Sequence, residues 1–246
     1  MRPEDAAREV RRSLGFGDTG PCVDLIERIE DTLGLPIWLL QLPANVSGAY
    51  AVIDEQGFIF ASSDEAPVRR RFTVAHEVGH HALGHGSAVD PEVNLSHDVT
   101  DPGERAANAF AAELLLPNAA LVEWWDRQQL PPVTLETVTR LASTYGVSTK
   151  MTFWRLVNNQ MVGQRGGTTF ETLLPRIEDG EHLALVRNLG LSAWTDVAAA
   201  VPIGSRRNPS RLITAARVAR DAELVSDEKL AGLLGVATDA LDAQLE

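Results

Sequence analysis

His76-Glu77-Val78-Gly79-His80 is the stretch of this sequence that decides both the fold and the chemistry. It lies within residues 67–83, whose pattern predicts one long helix that ends at Gly84 and Gly86. Residues four apart lie on one face of a helix, about 40° apart around its axis, so both imidazoles can bind one ion. Glu77 falls about 100° further round, where it can take a proton from water without binding the ion. The H-E-x-x-H spacing therefore predicts a zinc peptidase centre.

A catalytic zinc normally has three protein ligands, so a third is expected downstream. The candidates are His81, His85, His97, Glu104 and Glu113. His81 points away from its neighbour His80, and His85 lies about 180° round the same helix from His76, so neither is expected to converge. A site whose third histidine lies ten residues after His76 is disfavoured. Such a site needs a glycine seven residues after His76, whereas Gly84 lies eight residues after it. His97, in a polar loop over residues 87–100, stays open as a ligand.

The next predicted helix, over residues 101–116, separates the two glutamates. Its apolar stripe consists of Ala107, Phe110, Ala111, Leu114 and Leu115. Glu104 falls about 50° from the centre of that stripe and Glu113 about 130° from it. We therefore expect Glu104 to face inward as the third zinc ligand and Glu113 to face solvent. The alternative for Glu104 is a capping role, because it stands three residues after Asp101 at the start of the helix.

Other side chains are expected to support this centre. Asn108 lies one turn beyond Glu104 on the same face, where it can hydrogen-bond a ligating histidine or the carboxylate. A further donor should stabilise the developing oxyanion, and the candidates are Tyr50, Arg70, Arg71, His81, His85 and His97. A predicted hairpin over residues 48–61 precedes the long helix, and an exposed edge there could bind an extended substrate by strand addition.

The elements on either side predict an α+β fold. The predicted helices cover residues 6–14, 23–33, 67–83, 101–116, 119–129, 134–145 and 148–158, and the predicted strands cover 36–42, 48–53 and 57–61. Gly163-Gln164-Arg165-Gly166-Gly167 is the best linker in the chain. We therefore expect a catalytic domain over residues 1–163 and a mainly helical accessory segment over residues 168–246.

Composition excludes several classes of protein. A net charge of −12 opposes binding to nucleic acid or to anionic membranes. The single cysteine, Cys22, excludes an internal disulfide and a multi-thiolate metal site. The sequence has neither a signal-peptide core nor an apolar run of membrane-spanning length, which predicts a cytoplasmic protein.

Two segments together resemble the ImmA/IrrE family of bacterial metallopeptidases. They are Arg71-Phe72-Thr73-Val74-Ala75-His76-Glu77-Val78-Gly79-His80 and Glu104-Arg105-Ala106-Ala107-Asn108-Ala109-Phe110-Ala111-Ala112-Glu113-Leu114-Leu115-Leu116-Pro117, and residues 141–156 fit the same family. The resemblance covers roughly residues 1–163. It implies a zincin-like catalytic domain with a small, largely antiparallel sheet and several helices.

The resemblance also implies an activity. Members of the family are intracellular zinc endopeptidases, and well-known members cleave or inactivate a partner repressor of the XRE helix-turn-helix class under DNA damage or stress. The family's zinc ligands match His76, His80 and Glu104, and its catalytic glutamate matches Glu77. Unlike some relatives, this protein is expected to lack a DNA-binding domain before the catalytic helix, and its C-terminal segment does not look like their sensor domain.

Two functions follow as hypotheses. The first is a zinc endopeptidase that acts on a helix-turn-helix repressor in a stress or mobile-element response. The second is a binding module that sequesters a repressor or antitoxin without cutting it. The intact Glu77 favours hydrolysis, because a pure binder needs no general base. Helix–turn–helix patterns near residues 141–148 and 230–236 are more typical of packing units than of DNA readers, so direct DNA binding is not expected.

Overall fold

The structure is a computed structural model that describes residues 1–91, 101–129, 132–162, 170–191 and 202–245. The strands are β1 (Ile37–Leu40), β2 (Val46–Ile53), β3 (Gln56–Ser62) and β4 (Ala88–Pro91). The helices of the first part are α1 (Pro3–Ser13), α2 (Leu25–Leu33), α3 (Pro67–Ala82), α4 (Pro102–Leu115), α5 (Asn118–Arg127), α6 (Leu135–Tyr145) and α7 (Thr149–Asn158). Beyond them lie α8 (Phe170–Glu178), α9 (Glu181–Asn188), α10 (Ser210–Asp221), α11 (Asp227–Leu234), a 3-10 turn (Thr238–Ala240) and α12 (Leu241–Leu245).

The strands form one mixed sheet in the order β1-β3-β2-β4. β2 and β3 make an antiparallel hairpin whose two-residue turn, Asp54-Glu55, has positive φ at both positions, as tight hairpin turns require. β1 pairs with β3 in parallel, and β4 pairs with β2 antiparallel. The α+β fold predicted from the sequence is confirmed.

Strand β4 was not predicted from the sequence and lies within the polar loop predicted over residues 87–100. Its backbone pairs with the outer edge of β2, where Ala49 is opposite Val89 and Tyr50 is opposite Ala88. β1 covers the other side of the hairpin. The expectation that a hairpin edge is exposed for an extended substrate is therefore wrong over these paired residues, because neighbouring strands already use its backbone groups.

The main core lies between the inner face of the sheet and the helices. α3 packs on β2 and β3 and against α4, and α1 packs mainly on α4 and also contacts α3. Burial of Ile37, Leu39 and Ile59 from the sheet and of Phe110 and Leu114 from α4 joins these layers into one apolar cluster. This arrangement places α3, which carries the H-E-x-x-H motif, in the interior of the domain.

The C-terminal helices divide between two apolar clusters. Leu173 and Ile177 of α8 belong to the main core, next to α6 and α7. A second cluster forms within residues 212–245 around Leu230, Leu234 and Leu241. The predicted linker and domain boundary at residues 163–168 lie outside the described residues and stay predictions. Removing α8 would take two buried side chains from the main core.

Arg207 attaches the segment just before α10 to the sheet and to α2. Its backbone makes a two-bond antiparallel bridge with Leu39 on the edge strand β1, with N···O distances of 3.0 Å. Its guanidinium donates to both carboxylate oxygens of the buried Glu30, at 3.0 and 2.8 Å. Desolvation opposes ionisation of Glu30, but the ion pair with Arg207 more than offsets it and holds the pKa of Glu30 below its usual range.

None of the helices in the described part of the chain combines the length and the hydropathy needed to cross a lipid bilayer.

Candidate metal centre

α3 is buried along most of its length, and this burial includes its polar residues. His76 and Glu77 are 0% exposed and His80 is 2% exposed. Burying such groups costs several kcal/mol unless they are paired or bound to a metal. The polar residues of the motif therefore need partners inside the domain.

His76, His80 and Glu104 converge on one point. Each offers a ligand atom, and these atoms lie within 4.8 Å of one another. The two Nε2 atoms are 3.0 Å apart, and Glu104 Oε2 and Oε1 lie 3.2 Å and 3.4 Å from Nε2 of His76 and of His80. Neighbouring ligands of tetrahedral zinc should be separated by about 3.3 Å, given bonds of about 2.0–2.1 Å. The separations and the two-nitrogen, one-oxygen donor set both fit a zinc ion.

The start of α4 places Glu104 at this point. Asp101 caps the helix, because its Oδ1 accepts hydrogen bonds from the backbone N–H groups of Gly103 (2.7 Å) and Glu104 (3.0 Å). The Glu104 carboxylate is thus left to face the histidines, which favours the ligand role over the capping alternative. α3 and α4 approach closely at Gly79, where a Cβ would lie 3.2 Å from the Cα of Ala107, one turn beyond Glu104.

Asn108 orients His76. Its Oδ1 lies 3.0 Å from His76 Nδ1 and accepts a hydrogen bond from the N–H at that nitrogen. The Nε2 lone pair of His76 then faces His80 and Glu104, as metal binding requires. The contact has the geometry expected from the sequence, and the functional role of Asn108 stays a prediction.

His85 is closer to the centre than the sequence predicted. Gly84 has φ +71° and reverses the chain after α3, so that the His85 N–H donates to the His80 carbonyl (2.9 Å) and the Gly84 N–H to the His81 carbonyl (3.1 Å). This Schellman motif brings the His85 ring back to His80, with their Nδ1 atoms 3.0 Å apart. The prediction that His85 lies on the far side of the helix is wrong, because it continued helical geometry past the last turn.

We expect replacement of His85 by Phe to weaken zinc binding by about 10–100-fold, as for other residues that hydrogen-bond a ligating histidine. Competition with a chromophoric chelator measures this affinity. Phe fills the space of the imidazole ring but cannot hydrogen-bond to His80. His85→Gln retains a polar group and should therefore lose less zinc affinity. Unchanged affinity in His85→Phe would show that the contact with His80 does not matter for the metal.

Glu77 lies on a neighbouring ridge of α3, under strand β2. Thr73, Glu77 and His81 are four residues apart on this ridge, and Gly48 and Tyr50 of β2 cover it. The Tyr50 hydroxyl lies 2.8 Å from His81 Nδ1. Burial raises the pKa of the Tyr50 phenol and lowers the pKa of His81, since both charged forms lose hydration. Glu77 is therefore next to the metal-binding group without being part of it.

The other oxyanion candidates have different surroundings. Arg71 connects α3 to two other segments of the chain. Its Nε donates to the Gly146 carbonyl (3.1 Å) and its Nη2 to the Cys22 carbonyl (2.8 Å). Arg70 is buried, and burial lowers its pKa. His97 lies outside the described residues.

The expectation that Glu113 faces solvent is wrong, because its side chain is only 1% exposed. Arg155 of α7 donates to Glu113 Oε2 at 2.5 Å, and Arg8 of α1 donates to Oε1 at 3.1 Å. The backbone N–H of Asn118 also donates to Oε2, at 3.3 Å. α4 is enclosed on this side by α1 and α7, so its second face is buried too. Glu113 is an internal ion-pair partner and lies outside the metal-binding group.

Comparison with known proteins identifies the domain that carries this centre. No curated protein matches the chain. The profile of the Peptidase M78 family, described as the IrrE N-terminal-like domain, matches residues 31–156, just over half of the chain. The matched region contains the H-E-x-x-H motif on α3 and Glu104 and Asn108 on α4. The family resemblance found in the sequence is thus confirmed, and the chain belongs to the Peptidase M78 family of IrrE N-terminal-like domains.

Proposed function

We propose that this protein is a zinc-dependent endopeptidase in which His76, His80 and Glu104 hold the metal and Glu77 is the general base. The observation that carries the proposal is the convergence of two imidazole nitrogens and one carboxylate oxygen within 4.8 Å. The peptidase family of the domain supports hydrolysis of a peptide bond. Glu77 lies next to these ligands and can act as a general base, which hydrolysis needs and metal binding alone does not.

The residues divide the chemistry as follows. Zinc, when bound, supplies a Lewis acid that polarises the scissile carbonyl and acidifies water. Glu77 accepts the proton of the attacking water and returns it to the leaving amine nitrogen. Asn108 and His85 keep the rings of His76 and His80 turned so that each Nε2 faces the centre. These ring positions are set by the protein before a substrate binds.

The substrate we propose is a helix-turn-helix repressor of the XRE class, cut in the cytoplasm in a stress or mobile-element response. The family resemblance of residues 1–163 supports this choice. A protein substrate is favoured over DNA, because six of the ten residues of α7 are buried, polar Thr152 and Arg155 among them, which leaves this helix little free surface with which to enter a DNA groove. The acidic net charge also opposes contact with phosphates.

Metal removal and replacement test the proposal. We expect about one zinc per purified chain, loss of cleavage of a purified XRE-class repressor after treatment with a chelator, and recovery when zinc is added. Glu104→Ala should lose most of the zinc, since only two protein ligands remain. Glu136→Ala is the matched control, because Glu136 lies exposed on α6 and pairs at the surface with Arg140.

Two outcomes would contradict the proposal. Wild-type protein that binds no zinc would show that His76, His80 and Glu104 do not form a zinc site. Wild-type protein that holds zinc and binds the repressor tightly, yet leaves it uncut, would indicate a module that acts by sequestration.

A further inference from the structure

Strand β2 passes directly over the carboxylate of Glu77 at Gly48. A Cβ on Gly48 would lie 2.4 Å from Glu77 Oε1 and 2.5 Å from Thr73 Cγ2. Ordinary contacts of a Cβ are about 3.4–4 Å, so the strand occupies this position only because residue 48 has no side chain. The backbone of Gly48 is therefore one wall of the space that holds the Glu77 carboxylate.

Glu65 ties this part of β2 to α3. Its Oε1 accepts a hydrogen bond from Ser47 Oγ at 2.6 Å, and its Oε2 accepts one from Thr73 Oγ1 at 3.2 Å. Ser47 precedes Gly48 on the strand, and Thr73 lies one helical turn before Glu77. The pairing of β2 with β4 also shifts register between Val46 and Gly48, an irregularity of the kind that re-aims a strand next to a site. We call Ser47, Glu65 and Thr73 the Glu65 clamp.

We infer that Gly48 and the Glu65 clamp are positioning elements that fix the Glu77 carboxylate for proton transfer, an inference that rests on the proposed function. The clamp sets the height of the strand above α3, and the missing side chain at residue 48 leaves room for one orientation of the carboxylate. A methyl group there would displace Oε1 by roughly 1 Å to restore an ordinary contact distance, and a displacement of that size costs about 10²-fold in rate. Metal binding is not involved, because the ligand atoms belong to other residues.

A double variant isolates this effect. Thr73→Ser removes the Cγ2 atom that a new Cβ would meet, yet keeps the hydroxyl that donates to Glu65. Gly48→Ala in this background leaves two close contacts of the new Cβ, one with Glu77 Oε1 at 2.4 Å and a milder one with the Phe60 carbonyl oxygen at 3.1 Å. The cleavage site in the repressor is first mapped with the wild-type protein. The probe is then an internally quenched peptide that spans this site. Relative to Thr73→Ser, we expect a kcat about 10²-fold lower, a KM within about 3-fold and an unchanged zinc content.

Gly232→Ala is the matched control, because a Cβ at that position on α11 meets nothing within 4 Å. If the double variant does not fold, Ser47→Ala decides, since it opens the clamp without adding an atom: a fall in kcat at constant KM and zinc content supports the inference, and an unchanged kcat overturns it. Equal kcat values for the folded double variant and Thr73→Ser also overturn the inference while the proposed function stands. Wild-type protein that holds zinc but does not cut the repressor overturns both.

Discussion

Glu77→Gln should retain zinc and lose proteolysis, with a rate at least about 10²–10⁴-fold below that of the wild type. Glutamine has nearly the size and shape of glutamate, and residue 77 is not among the three residues that form the metal-binding group. The substitution therefore keeps the packing under β2 and the ligands but removes the only group proposed to take a proton from water. The expected loss is a loss of chemistry alone.

Three measurements on the same preparation check this expectation: zinc content, thermal unfolding midpoint and the rate of repressor cleavage. Glu136→Gln, at an exposed position on α6, controls for removal of a negative charge elsewhere. A Glu77→Gln protein that holds zinc and cuts at the wild-type rate would show that Glu77 is not the base. Loss of zinc in this variant would instead place Glu77 in the metal-binding group.

The local geometry of the centre could be predicted because it depends on one helix at a time. The four-residue spacing puts His76 and His80 on one face of α3 whatever surrounds them. The apolar stripe of α4 sets the rotation of that helix, so the inward position of Glu104 follows from Ala107, Phe110 and their neighbours. Asn108, one turn further along, needs no additional information.

What could not be predicted depends on contacts between distant parts of the chain. β4 is held by backbone pairing with β2, which leaves little signal in side-chain periodicity. His85 returns to His80 through a chain reversal at Gly84, and that glycine is the signal that could have revealed it. The burial of Glu113 depends on α1 and α7, which lie about 100 residues before it and 40 residues after it in the sequence. A single apolar stripe identifies one buried face of a helix, but it does not exclude burial of a second face.

The ion pair between Glu113 and Arg155 leads to the second large effect. Glu113→Ala should lower the free energy of unfolding by about 3–5 kcal/mol, because it leaves a buried cation without its counter-charge. The Arg155 side chain is 10% exposed and also donates to the Leu116 carbonyl (3.0 Å) and to Asn118 Oδ1 (2.7 Å), which hold it in place after the carboxylate is lost. Burial already lowers the pKa of Arg155, and Glu113 opposes that shift. The negative charge of Glu113 is thus needed to stabilise the buried cation of Arg155.

Denaturant unfolding of Glu113→Ala, with Glu136→Ala as the surface control, measures this free energy. The control should stay within about 0.5 kcal/mol of the wild type, because an exposed pair in water contributes little. The double variant Glu113→Leu/Arg155→Met should recover part of the loss, since it removes the unpaired cation together with its partner. The folded fraction of Glu113→Ala should still bind zinc, because Glu113 is not one of the three converging residues. A Glu113→Ala protein as stable as the wild type would mean that this carboxylate is hydrated, as the phase of the α4 stripe alone predicted, and that α1 and α7 do not enclose it.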